Sequence, residues 1–162
     1  MTVVAIAGYD VAKAFHVIAA FAAYGLPLAY PMLIPYLRRR HPRALPGLHD
    51  VQHRLNIALT GPGTVVLLAL GLSMAADRHL FGQSWVDAGI AIVAVIAVAG
   101  GDIVRTTAKL AQTARADVEA TAPGQPVRFS EAYQRLYRRY MAVEHTLGLL
   151  VLVAIFLMVT KP

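Results

Sequence analysis

The chain has 162 residues, 57% of them hydrophobic and 15% charged, with a mean hydropathy of +0.56. A soluble domain carries about a quarter charged residues, so this composition excludes an ordinary water-soluble fold and calls for lipid around the chain. There are no cysteines, which excludes disulfides, thiolate metal sites, iron–sulfur clusters and covalently attached c-type haem.

The net charge is +6 and the pI about 10.0. In a soluble protein that excess would point to nucleic acid. Here the basic residues fall between apolar segments, so they read as topology signals and as contacts to anionic lipid headgroups, with no nucleic-acid partner. Nothing basic precedes Lys13, so the start of the chain lacks the charged region of a secretory signal and reads as a retained transmembrane helix.

Taken in order, four segments meet the requirement of about 20 mostly apolar residues per span. They lie at about 10–36, 55–75, 85–104 and 140–160, within a single domain covering 1–162. In the first, Pro27, Pro31 and Pro35 recur every fourth residue. Each removes a backbone donor and crowds the preceding turn, which predicts a kinked inner end. Loop one carries Arg38, Arg39, Arg40, Arg43 and Arg54. Loop two carries only Arg78. Loop three carries Arg105, Lys109, Arg115, Arg128, Arg135, Arg138 and Arg139. The positive-inside rule puts loops one and three in the cytoplasm and both termini outside. Within loop three, Arg105–Glu119 reads as an extension of the third helix, and Pro123, Gly124 and Pro126 break it. A new helix is predicted from an N-cap at Ser130. Its Tyr133, Leu136, Tyr137 and Tyr140 alternate with arginines, as expected of a short amphipathic helix lying at the headgroups before the fourth span. The fold class is therefore an all-α, four-span membrane bundle, N-out and C-out.

Membrane helices pack through small residues, so small and polar stripes should face inward. Ala12, His16, Ala19, Ala20 and Ala23 share a face of helix one. His53, Asn56, Thr60, Gly63, Thr64 and Gly71 share a face of helix two, where Pro62 predicts a kink or an opened backbone. On helix three, Asp87, Ala91, Ala94, Val98, Gly101 and Asp102 form the expected inward face. Two ion pairs are expected, Lys13–Asp87 and Asp102–Arg105. Glu144 and His145 sit together on helix four, as a solvated interfacial pair or as part of an inner cavity.

Two sets of candidate ligands follow from depth. His16, the inward histidine, and His79 belong to the outer half, at one depth as a haem or transition-metal site requires. His53, Asp102, Glu144 and His145 form the inner set, a carboxylate–histidine group able to hold a metal or relay protons.

Lys13, Phe15 and His16, the run from Pro62 to Gly71 and the closing Leu157-Met158-Val159-Thr160-Lys161-Pro162 resemble an uncharacterised family of small bacterial four-helix membrane proteins. That resemblance implies a multi-pass protein of the bacterial inner membrane and no established reaction. Lys13 and His16, with Pro62 and Gly71, are more distantly similar to HemJ-type protoporphyrinogen oxidases, and the chain is likewise similar to copper-resistance D-type membrane proteins. In the HemJ-type proteins the helix-one histidine ligates haem, so the resemblance implies His16 as an axial ligand to haem b. Their second ligand is a lysine early in helix three, and Trp85-Val86-Asp87-Ala88-Gly89 offers none, so the resemblance implies a five-coordinate site on His16 alone or one completed by Met74 or His79.

Three functions compete at this point. One is a membrane haem b or metal protein with a redox role. Another is a non-enzymatic accessory subunit of a larger membrane complex or homo-oligomer. The third is a small transporter using Asp87, Asp102, Glu144 and His145. No Walker, Rossmann, nucleophile-elbow or HExxH motif decides whether the protein is an enzyme.

Overall fold

The computed structural model describes residues 2–162, with side-chain burial from residue 8. Every regular element among the described residues is helical: α1 (Thr2–Tyr24), α2 (Tyr30–Arg40), α3 (Leu45–Leu55), α4 (Gly61–Asp77), α5 (Ser84–Glu119) and α6 (Glu131–Thr160). Three rods, Pro42–Asp77, Ser84–Glu119 and Glu131–Thr160, are long and apolar enough to cross a membrane. Gly8–Tyr24 with Pro27–Arg40 makes a fourth if the bent pair counts as one span. The result is an all-α membrane helical bundle.

The break in the first pair has the cause its sequence predicts. Pro27 opens a single 3₁₀ turn, Pro31 sits in the first turn of α2 and Pro35 lies inside it. The two halves bend by 41°. At Pro62 the second of the two expected outcomes is found, an opened backbone without a kink. The rod through it stays continuous, because Asn56–Thr60 is a π-helical turn in which the Gly61 N–H reaches back to the Asn56 carbonyl. The wider turn gives the proline ring room and absorbs its missing donor.

The 36 residues of α5 span about 54 Å at 1.5 Å per residue. The hydrocarbon layer is about 30 Å thick, so the end of α5 carrying Arg105 to Glu119 projects beyond it. Asp117 there ties down the start of α6. Its carboxylate accepts from the Ser130 backbone N–H at 2.9 Å and hydroxyl at 3.0 Å, and Ser130 Oγ in turn accepts from the Tyr133 N–H. Ser130 is thus the N-cap. The helix it starts is not a separate piece lying at the headgroups, however. It runs without interruption into the span, and Tyr133 and Tyr140 are buried. The tyrosines belong to the core of the basic end, with Ile34, Leu45, Leu110 and Ala114.

The principal packings are α1 on α4, α3 on α5 and α5 on α6. The α1–α4 seam is as predicted: a Cβ on Gly63 would stand 3.0 Å from the Ala23 Cβ, and one on Gly71 3.1 Å from the His16 ring. The face expected of helix three is corrected. Ala91, Ala94, Val98 and Gly101 are exposed, while Val86, Gly89 and Ile96 are buried. Ile96 packs with Leu67 and Val151. An outward small residue costs nothing in lipid, so the stripe carried no direction.

Candidate functional site

Because α1 leans chiefly on α4, a gap remains between α1 and the α5–α6 pair at the end of the bundle carrying the termini. It is a cavity of about 560 Å³. Tyr9, Lys13, His16, Met74, Trp85, Met158 and Lys161 are among its lining residues, and leucine, isoleucine and valine make up most of the rest. The Lys161 ammonium lies 5.5 Å from the centre of the Trp85 ring. The His16 Nδ1 is buried and has no hydrogen-bond partner. The ring sits on Gly71, the one residue type that leaves it room there.

His16 and Met74 are therefore brought to one cavity. His79 is not among its lining residues; it is exposed, at φ 53° in the turn after α4. Lys13 and Asp87 do not pair. Asp87 instead accepts weakly from the Gly82 N–H at 3.4 Å, as expected of a carboxylate in the first turn of α5.

The inner set is dispersed. His53 Nδ1 pairs with the Val104 carbonyl at 3.0 Å, and His145 Nδ1 with the Met141 carbonyl at 2.6 Å, so each ring donates to backbone. Asp102 pairs with Arg139 on α6 at 2.9 Å, and not with Arg105 on its own helix. Glu144 is buried, contrary to a solvated pair with His145, which is exposed. Among the described residues no group of three or more His, Cys, Asp or Glu is placed to hold a metal.

A buried polar network runs through this end of the bundle instead. His49 lies on α3, before the apolar run of its rod begins, so protein and not lipid covers it. It is fully buried with no carboxylate among its hydrogen-bond partners, which holds the ring neutral. His49 Nδ1 donates to Gln52 Oε1 at 2.7 Å, so Nε2 accepts from the Tyr133 hydroxyl at 3.1 Å. Gln52 Nε2 donates to the Tyr140 hydroxyl oxygen at 3.1 Å. The three donors thus point along one line, from Tyr133 to Tyr140. Glu144 lies one helical turn beyond Tyr140 on the same helix. The one-way order strengthens each bond in turn. Gln52, whose amide does not pass protons as a hydroxyl does, makes the line a positioning device. Sequence reading missed it, although His49, Gln52 and Asn56 share a helical face and Tyr133 and Tyr140 are seven apart.

Glu144 also lines a second cavity of about 400 Å³ near the middle of the bundle, with Tyr24, Asn56, Thr60 and Thr64. The Tyr24 and Thr64 hydroxyls pair at 2.8 Å, and Thr64 donates to the Thr60 carbonyl.

Fold and cavities together define a polytopic α-helical membrane protein with two cavities between its helices. A family model described as a predicted integral membrane protein (DUF2269) matches residues 10–162, and the chain belongs to that family. No curated protein and no solved structure matches it.

Proposed function

We propose that this is a cofactor-binding protein of the bacterial inner membrane, with the larger cavity holding haem b on His16 and serving a redox role. The single observation carrying the reading is a half-buried histidine, His16, on the wall of a large apolar cavity. A large apolar cavity with a histidine on its wall is a place where a cofactor belongs. The lining would suit haem: His16 would hold the iron, Met74 lies on the same cavity, apolar walls would cover the macrocycle, and the Lys13 and Lys161 ammonium groups would meet its carboxylates. Haem would supply one-electron chemistry there; the chain binds it, orients it and keeps water away. The basic loops would face the cytoplasm and its anionic lipids.

Haem titration into the purified protein tests the cavity. The wild type should give saturable Soret absorbance. Gly71→Val, whose side chain displaces the His16 ring, should weaken binding about tenfold or more while helix content stays unchanged. Equal binding by the variant would place the haem elsewhere and count against the reading.

A further inference from the structure

The second cavity carries a different argument. Its lining is almost wholly apolar, with Ile57, Val65 and Ile96 among its walls. Yet four polar side chains, each more than nine-tenths buried, border it; Tyr24 and Thr64 pair with each other, which leaves Glu144 and Asn56. Glu144 is 5% exposed and forms no ion pair among the described residues. Asn56 is 6% exposed, and its Nδ2 is a donor with no acceptor. Asn56 also opens the π-helical turn, a local irregularity that recurs at functional sites.

The chemistry of this pair narrows the ligand. Glu144 lies one helical turn beyond Tyr140, the end of the hydrogen-bonded line, and its carboxyl group has acceptor capacity to spare. Asn56 Nδ2 needs an acceptor. A cation would satisfy Glu144 but meet the positive end of the Asn56 amide. An anion would satisfy Asn56 but be repelled by Glu144. A neutral hydroxyl satisfies both, donating to one and accepting from the other. The apolar walls, in the membrane-spanning part of the bundle, favour a molecule that arrives dissolved in lipid.

We propose that this cavity binds the hydroxyl head of a lipid-dissolved phenol or quinol, with Glu144 accepting its O–H and Asn56 donating to its oxygen. His16 does not line this cavity, which adjoins the larger one along Tyr24, Leu28, Ile96 and Val151, and the proposal does not depend on haem.

Retention of decylubiquinol by protein-loaded nanodiscs, over empty nanodiscs and without oxygen, tests it. Binding should saturate at a stoichiometric level. Glu144→Gln, nearly isosteric, and Asn56→Leu should each weaken it about tenfold, the worth of one good hydrogen bond to a buried partner. His16→Ala should leave it unchanged. Retention no greater than in empty discs would mean that water alone fills the cavity, and would overturn the proposal. Retention that both variants preserve would overturn it as well. If one variant fails to fold, the other decides.

Discussion

Tyr133→Ala is expected to cost the bundle about 3–5 kcal/mol through the cavity it leaves. A further 1–3 kcal/mol, roughly, follows because His49 Nε2 loses its only partner while fully buried. Tyr133 has no exposed surface and stacks on Phe129 at 4.5 Å and on Tyr137 at 6.1 Å. It sits in the part of the molecule that protein packing, and not lipid, shields from water, so magnitudes measured in soluble proteins apply. Tyr133→Phe keeps both stacks and loses only the hydroxyl, and should cost about 1–3 kcal/mol. Denaturation midpoints in micelles separate the two. A Phe variant as damaged as the Ala variant would show that the hydroxyl line, and not the ring packing, holds this end together.

Gly63→Val is expected to force α1 away from α4. The added side chain begins 3.0 Å from the Ala23 Cβ and 3.5 Å from the Ala19 carbonyl oxygen, with helix backbone behind both. Overpacking of this kind costs about 1–3 kcal/mol. In a membrane no hydrophobic force between helices compensates, since lipid solvates α1 as well as α4 does. Gly101→Ala is the contrast. Nothing lies within 4 Å of its Cβ, and replacing a mid-helix glycine should stabilise by up to about 1 kcal/mol. Thermal unfolding of both variants in the same detergent checks the pair; equal midpoints would mean that the α1–α4 seam is not a close contact.

The spans were legible because bilayer thickness fixes how long an apolar helix must be. The bend before α2 was legible because proline acts on its own turn. Inward faces were legible on the first two spans, where Ala23 meets Gly63 and His16 meets Gly71, small residue against small residue or ring. They were not legible on α5. There Ile96 is the buried residue and Val98 the exposed one, and nothing in lipid distinguishes the two. Ion pairs misled for a related reason. Sequence offers neighbours such as Arg105 for Asp102, while the fold supplies Arg139 from a packed helix.

The candidate sites divide in the same way. His16 was readable as an inward histidine because its helix face is alanine. The line from Tyr133 to Tyr140 was not readable. Its members come from two helices more than 80 residues apart, and tyrosines interleaved with arginines look the same on an interfacial helix as in a core. The π-helical turn was half legible, since Pro62 demanded some backbone adjustment without specifying which.

The most direct test is the absorption spectrum, oxidised and reduced, of the protein isolated gently from membranes, beside His16→Ala prepared identically. A Soret band in the wild type that shifts on reduction and is lost in the variant is the predicted result, and it would fix haem on α1. A wild-type spectrum without a Soret band, even after haem is supplied during expression, would contradict the account and favour an accessory subunit of a larger membrane complex.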